Sequence, residues 1–527
     1  MKSIKVLDVT LRDGGCVNDF NFGQNYMEKI LAAQEAAGID IIELGYIDAV
    51  KGSATDRTQY INEQIIPKCL LKQKKPGKKY VAMIDYGKFD VDNLQPRTQD
   101  GIDGIRVAFH KKNMLDVIPM VRKVLNKGYE CFLQPMVTLR YTDAELLNLI
   151  ALVNRELPDA SGFYIVDTFG EMRTNDINRI LLVVDNNLIP SMPVGFHSHN
   201  NMQLSYSNAC AILQFPTNRE LMLDCSIMGM GKGAGNLNTE LLLEHLNLYY
   251  GKKYQIAPLL EVIDKVINQL HEEFYWGYAV EYYLSAANGC TPSYASHFYN
   301  KHMLPIDQVA ELLNLLEEDK KISFDQNYAE ALYRQYNERK AVEDETVIET
   351  LKKEVACKRI LLIAPGKSLR MYREKIEQYA AEKDILTINL NDWTIPSDYI
   401  VTTRMDAYLQ AVEEKRNVIV PSNISKGGRG NVLVINYSNW IEVDDRTHDS
   451  SFVIVANLLK ACGAQHILLA GFDGFSPDIN ENYHDASLRR PVTARQAARR
   501  NEYYKAFVAR MRNSGIEVEF VTPSKYQ

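Results

Sequence analysis

From residue 4 to about residue 227, short runs of β-branched and apolar residues alternate with longer stretches in which apolar positions recur every three or four residues. Runs of the first kind predict strands and recurrences of the second kind predict amphipathic helices. Strands are expected at 4–9, 39–46, 79–85, 104–109, 130–138, 162–168, 193–199 and 220–227, with helices such as 26–37, 115–127, 143–157 and 175–186 between them. Gly38, Gly128 and Gly195 sit where a helix stops or a strand begins, the usual place for glycine at a helix end. Eight strand–helix units in about 250 residues match a (β/α)8 TIM barrel in count and length. A doubly wound open sheet is the rival. It usually has fewer strands and a glycine-rich loop after the first, which is not the pattern here.

Beyond the barrel domain, residues 1–250, the pattern turns almost wholly helical, with stretches such as 259–273, 306–317 and 328–336. This predicts a helical extension over 251–336. The following stretch is rich in charge and poor in large apolar groups, which reads as a linker over 337–357. A second α/β pattern fills 358–527: strands at 359–364, 385–390, 399–402, 417–420, 431–435, 466–470 and 517–521, and helices at 371–383 and 493–510. The expected architecture is therefore a TIM barrel, a helical extension and a C-terminal Rossmann-like αβα domain. The turn Pro365-Gly366-Lys367-Ser368-Leu369, between the first of these strands and its helix, is a candidate anion-binding start to that sheet. The full Walker A and GxGxxG patterns are absent.

Composition changes this picture little. At 527 residues the chain exceeds what one core supports. Its 46% hydrophobic and 24% charged content are ordinary for a soluble globular protein. A formal net charge of -7 argues against nucleic acid as the main partner. Eight scattered cysteines without a CxxC, several in apolar runs, suggest free thiols and a reducing compartment. Met1 to Asp8 runs into a strand without a signal-peptide pattern, and no apolar run reaches membrane-spanning length. A cytoplasmic protein without a membrane partner is expected.

In such barrels the chemistry lies at the C-terminal ends of the strands. The first strand ends in Asp8-Val9-Thr10-Leu11-Arg12-Asp13-Gly14-Gly15, the second in Glu43-Leu44-Gly45-Tyr46 and the sixth in Asp167-Thr168-Phe169-Gly170-Glu171. The seventh supplies His197 and His199, and a glycine-dense loop from Met228 to Asn236 follows the eighth. Residues two apart in a strand share a face, so His197 and His199 point the same way. Neutral imidazole is the commonest ligand of a transition metal. The pair makes half of a metal site if oxygens arrive from elsewhere; the alternative is two hydrogen-bonded core histidines. Asp13 also suits a helix cap, Glu43 a structural ion pair, Thr168 a strand-end hydroxyl and Asn236 the cap of a helix at 237–246. Convergence of five strand ends on one mouth favours a working site.

Thr10-Leu11-Arg12-Asp13-Gly14, His197-Ser198-His199-Asn200 and Gly235-Asn236, in that order, resemble the DRE-type metallolyase (HMGL-like) superfamily over roughly residues 1–330. That superfamily includes 4-hydroxy-2-oxovalerate aldolase, 3-hydroxy-3-methylglutaryl-CoA lyase and the isopropylmalate and homocitrate synthases. The resemblance implies a divalent-metal-dependent aldolase that acts on a 2-oxoacid through a pyruvate-type enolate, with an aldehyde as the other fragment. It implies a metal, manganese first and Mg, Co or Zn as alternatives, on Asp13, His197 and His199, joined in some members by Asn236. It implies that Arg12 binds the carboxylate or enolate, that Glu43 holds Arg12, and that Thr168 lies near the substrate. The chemistry asks for such groups in any case: a Lewis acid for the enolate, a bidentate fork for a carboxylate and a general base. Several relatives carry a histidine three residues after the motif aspartate, where this chain has Cys16. The base is therefore open among Cys16, Asp19, a metal-bound hydroxide, and Tyr282 or Tyr283 from the helical extension. Lys232 is a candidate contact for an acid group.

The glycine loop lacks the cysteine of the CoA-ester lyases, which makes that chemistry the poorer match. Two rival readings are a Claisen-type acyltransferase using acetyl-CoA, and a non-catalytic barrel serving a C-terminal nucleotide-dependent transferase. The turn 364–369, Leu468-Leu469-Ala470-Gly471-Phe472-Asp473-Gly474 and the helix 493–510 resemble bacterial sialyltransferase-like or pterin-diphosphokinase-like Rossmann domains. That resemblance implies a nucleotide or nucleotide-sugar partner. A homo-oligomer is expected.

Overall fold

The computed structural model describes residues 2–52, 57–301, 304–425, 427, 431–442, 450–488 and 492–527. It divides into two units, one running to Ser293 with Lys321–Ser323, the other comprising Tyr294–Lys320 and Phe324–Gln527.

The first unit is built on strands β1 (Ile4–Asp8), β2 (Ile41–Ile47), β3 (Gln59–Tyr60), β4 (Lys79–Asp85), β5 (Gly104–Phe109), β6 (Glu130–Pro135), β7 (Gly162–Asp167), β8 (Val194–Ser198) and β9 (Leu221–Cys225). All their pairings are parallel, and β1 pairs with both β9 and β2. This closes a ring of eight strands, the TIM barrel. The two-residue β3 lies outside the ring, beside β2, and is too short to leave a periodic signal. The helices form for the reasons their patterns suggest. Gln24–Ala37 buries Met27, Ile30, Leu31 and Ala37 at helical spacing and stops at Gly38, whose φ of 88° is left-handed. Asp143–Glu156 opens with a capping box in which Thr142 and Glu145 satisfy each other's backbone N–H groups.

The pleat of the strands sorts the core into two layers. Ile42, Leu44, Ile105, Val107, Leu221 and Leu223 belong to the cluster between strands and helices. Their strand neighbours turn inward, where Leu7, Ile41, Val81, Phe132, Tyr164 and Met222 form a separate apolar cluster. Further along β2 and β9 the same inward face carries Glu43 and Asp224, and on β5 and β8 it carries Arg106 and His197, all buried. The barrel thus passes from an apolar plug to a charged layer as it approaches the strand ends. The 130–138 pattern gives a strand only to Pro135, because Val137 takes a φ of 55°.

The second unit holds a seven-stranded parallel sheet in the order β14-β13-β12-β11-β10-β15-β16. Its strands are β10 (Arg359–Ile363), β11 (Ile385–Leu390), β12 (Tyr399–Val401), β13 (Val418–Pro421), β14 (Val432–Ile435), β15 (His466–Ala470) and β16 (Glu517–Phe520). With helices between strands that pair in parallel, this is the Rossmann-like architecture. Two expectations change here. The helical stretch 251–336 is not one body: its first part goes with the barrel and its remainder, from Tyr294 apart from Lys321–Ser323, with the second unit. The stretch read as a linker contains helix Glu345–Val355, whose Leu351 and Val355 are buried. Asp344 accepts hydrogen bonds from the Asn436 N–H at 2.9 Å and Trp440 Nε1 at 2.8 Å. Two buried apolar residues and one carboxylate are enough to tie a charged helix into a domain. Among the described residues no helix is long and apolar enough to cross a membrane.

Candidate metal centre

Past β1 the chain folds back at once: the N–H groups of Arg12 and Asp13 both donate to the Val9 carbonyl, at 3.0 and 2.8 Å. The Thr10 hydroxyl accepts from Ile227 N at 2.8 Å, tying this turn to the segment after β9. Asp13 precedes a short helical turn, Gly14–Cys16, but its side chain makes no capping bond to it. Its carboxylate instead meets the two histidines. One ligand atom from each of Asp13, His197 and His199 lies within 4.8 Å of the others, and all three residues are buried. Asn236, paired in an isolated bridge with His199, donates through Nδ2 to Asp13 Oδ2 at 2.7 Å. The following helix, Thr239–Tyr250, is entered through Asn238, so Asn236 is not its cap.

Whether these residues suit a divalent cation can be judged from their own atoms. Asn236 Oδ1 is buried and has no hydrogen-bond partner among the described residues. A buried carbonyl oxygen left so is costly unless something accepts its lone pairs. A Cβ at Gly231 would lie 2.6 Å from Asp13 Oδ2 and 2.2 Å from Asn236 Nδ2, so only glycine lets the loop pass this cluster. A mixed imidazole, carboxylate and amide set suits Mn, Mg, Co or Zn. The donors fit.

Behind them runs a buried charge network. His197 Nδ1 lies 2.9 Å from Asp224 Oδ2, which fixes the ring and leaves Nε2 for the site. Asp224 also accepts from Arg106, and Arg106 donates on to Glu43 Oε2 at 2.9 Å. The same Glu43 oxygen accepts from Arg12 Nε at 2.7 Å, and Arg12 reaches Asp13 Oδ1 at 2.6 Å. Arg106 is wholly buried, with its guanidinium 4.7 Å from the centre of the Tyr164 ring. Two guanidiniums and three carboxylates leave one net negative charge when the imidazoles are neutral. Burial would raise the Asp13 carboxyl, but Arg12, both imidazoles and Asn236 together hold it well below the usual range. Burial pushes the His199 imidazole down to about 4 despite the pull of Asp13, so the ring is neutral at physiological pH, the form that can bind a cation. Asp224, which burial would raise, is lowered by Arg106 and His197. Arg106 and Asp224 were not singled out from the sequence. Their signal there is one charged residue at an inward position of an otherwise apolar strand.

The other expected residues fall into two groups. Thr168 is half-buried at the end of β7, and its hydroxyl accepts from Val137 N at 2.8 Å, anchoring the left-handed residue after β6. Cys16 lies at the same mouth, reached by solvent yet closely surrounded by protein. That crowding, with Asp13 nearby, pushes its thiol up to about 12. Asp19 is exposed and faces Arg57 at 3.5 Å. Tyr282 and Tyr283 lie on helix Val280–Ala287, with Tyr283 turned to solvent. Lys232 contributes its backbone: its carbonyl lies 3.2 Å from His199 Nδ1, while Nζ reaches Thr291 at 3.3 Å. Trp276 Nε1 donates to the Met228 carbonyl at 3.0 Å, so the helices after the barrel also brace the glycine loop.

The family profile described as HMGL-like matches residues 3–257. A 4-hydroxy-2-oxovalerate aldolase of Comamonas testosteroni is 31% identical over 254 residues, covering 46% of this chain and 68% of that protein. The chain belongs to the HMGL-like family. A 4-hydroxy-2-oxovalerate aldolase of Carboxydothermus hydrogenoformans is 28% identical over 269 residues, 50% of this chain and 77% of its own. Among solved structures, a variant carboxyl transferase domain of Rhizobium etli pyruvate carboxylase with pyruvate superposes with a TM-score of 0.50 at 14% identity. It covers 67% of this chain and 65% of that one, and at that identity it speaks for the fold alone. As an HMGL-like protein with this cluster the chain is an enzyme, a metal-dependent lyase.

Proposed function

We propose that the barrel is an aldolase that makes or breaks the carbon–carbon bond next to a 2-oxoacid, through a pyruvate-type enolate, with an aldehyde as the other fragment. The observation that carries this reading is at Arg12. Its Nε and one terminal nitrogen are held by Glu43 and Asp13, while the other terminal nitrogen is buried and has no partner among the described residues. A guanidinium fixed on two sides with one donor unspent, beside the Asp13–His197–His199 cluster, suits the carboxylate or enolate oxygen of a 2-oxoacid. A bound divalent metal, manganese by preference, would supply Lewis-acid stabilisation of the enolate charge. The protein's own part is to fix Arg12 through Glu43, to fix His197 through Asp224, and to present the Thr168 hydroxyl, which accepts from Val137 N and donates to no group among the described residues. Cys16, with its thiol held protonated, lines the mouth as a neutral group. For the second unit we propose a nucleotide-class partner, bound independently of the barrel's chemistry.

Deuterium entry into the pyruvate methyl group, read by mass spectrometry, tests the aldolase reading. Exchange should require added metal, run fastest with manganese and fall by more than about 100-fold in Asp13→Asn and His199→Ala, beyond the range typical of residues behind the ligands. Exchange that survives in both variants, or that no divalent metal supports, defeats it.

A further inference from the structure

Strand order in the second sheet reverses at β10: β11 to β14 extend to one side and β15 and β16 to the other. In open parallel sheets a ligand crevice lies beyond the carboxyl ends of the strands at such a switch point. A cavity of about 270 Å³ occurs there, lined by residues that follow β10, β11, β12 and β15.

One anion position in this crevice is already taken. The Asp473 carboxylate accepts from the Ser368 N–H at 2.6 Å and from the Ser368 hydroxyl. A Cβ at Gly366 would lie 2.2 Å from the Gly471 carbonyl oxygen, so the turns after β10 and β15 are in close contact. The turn after β10, expected from its sequence to bind an anion, is thus filled by the chain's own carboxylate.

The other side of the cavity is different. Three cationic side chains line it. Arg404 is paired with Asp406 at 3.1 Å and Lys301 with Glu330 at 2.9 Å. Arg500 has no carboxylate partner among the described residues, and its guanidinium lies 5.2 Å from the centre of the Phe475 ring. Ser450, Ser451 and Phe452 bring the start of the eleven-residue helix Ser451–Ala461 to the same cavity, and Ser450 makes no capping bond to it. Phe475 stacks on Tyr504 at 6.1 Å with 24° between the rings, and Tyr504 lies 5.5 Å from Tyr526. Aromatic faces take a flat ring, and a guanidinium with helix amides takes a phosphate.

We propose that this cavity binds a nucleoside monophosphate, its base against the Phe475–Tyr504 wall and its phosphate between Arg500 and the start of helix Ser451–Ala461. The volume lies just below the roughly 300–1,000 Å³ of drug-sized sites, and one unpaired cation matches one phosphate better than two. The inference rests on the nucleotide reading of the second unit.

Calorimetry on the full-length chain tests it, with AMP, CMP, GMP and UMP, their nucleosides and diphosphates, and inorganic phosphate. At least one monophosphate should bind about tenfold or more tightly than its nucleoside, and its diphosphate no more tightly. Arg500→Gln should cost the monophosphate about tenfold and the nucleoside nothing. Phe475→Leu should weaken nucleoside and nucleotide together, and His199→Ala neither. Monophosphate binding that neither Arg500→Gln nor Phe475→Leu disturbs would leave a nucleotide-binding protein with its site elsewhere. A diphosphate that binds more tightly would overturn the single-phosphate assignment, and absence of any nucleotide binding would sink the site and the nucleotide reading alike.

Discussion

Both units gather side chains beyond the carboxyl ends of parallel strands, yet they fill that space in opposite ways. The barrel mouth is ionic: Arg12, Asp13, Glu43, Arg106 and Asp224 are buried and bonded to one another in a chain. The crevice of the second unit is aromatic, and its cations Arg404 and Lys301 are already matched to carboxylates. Burying charges is expensive and rarely the cheapest way to stabilise a core, so an ionic layer at a strand end signals work that apolar residues cannot do. What each region leaves unsatisfied is what its proposed ligand would take up. The barrel leaves an amide oxygen, one guanidinium nitrogen and a net negative charge, which ask for a cation and an oxyanion. The crevice leaves ring faces and Arg500, which ask for a flat group with a small negative charge.

Asp224→Asn should break this contrast most sharply. It removes the charge that orients His197 and leaves Arg106 with Glu43 as its one carboxylate partner among the described residues. Metal affinity, measured by titration, should fall about 10–100-fold. Stability should fall too, by up to the roughly 3–5 kcal/mol that breaking a buried pair costs, reduced because asparagine keeps an acceptor. Nucleotide binding by the second unit should not change. Metal affinity equal to that of the unaltered protein would mean that the network only packs the barrel.

The ionic mouth was largely legible from sequence and the aromatic crevice was not. Asp13, His197, His199 and Asn236 sit at the ends of predicted strands or in the loop after one, in three ordered motifs, and period-two alternation already places both histidines on one face. Arg106 and Asp224 escaped because each is a lone charge in an apolar run, and their partnership spans 118 positions. Nothing local tells an inward strand position from an outward one before the ring is closed. The crevice draws Arg404, Phe452, Phe475 and Arg500 from separate segments without a shared spacing. The split of the helical stretch at Ser293 was hidden for a similar reason: an amphipathic helix looks the same whichever core it covers.

The two units should also answer pH in opposite directions. At the end of β7, burial pushes the Asp167 carboxyl up to about 8, against the lowering effect of the Glu171 and Met172 N–H groups that bond to it. The folded state therefore holds a proton that the unfolded chain loses near pH 4, and this contribution to stability drains away as pH rises from about 4 to about 8. In the second unit burial would raise Glu330, but His297 and Lys301 bring it down to about 2. Its contribution is present above about pH 4.5 and is lost as pH falls from there towards 2. Urea unfolding across pH 3 to 9 should show Asp167→Asn flattening the decline between about pH 4 and pH 8 and Glu330→Gln flattening the acid decline. Parallel curves for Asp167→Asn and the unaltered protein would mean that the folded carboxyl is already ionised.

The smallest effect should come from the residue that most invites a catalytic role. Cys16 lies three residues after Asp13, where the family resemblance leads to the expectation of a histidine, at the solvent-reached mouth. A thiol pushed up to about 12 is ionised at pH 7 in only about one molecule in 10⁵, and a group that cannot lose its own proton is a poor acceptor for another. Cys16→Ser keeps a small donor in the same place and should change the rate of methyl-deuterium exchange by less than about threefold, with alkylation at neutral pH correspondingly slow. A loss as deep as that of His199→Ala would place the proton transfer on Cys16. The thiol would then have to ionise far more readily once metal and 2-oxoacid fill the mouth, and the rate should follow the titration of a single group well below pH 12.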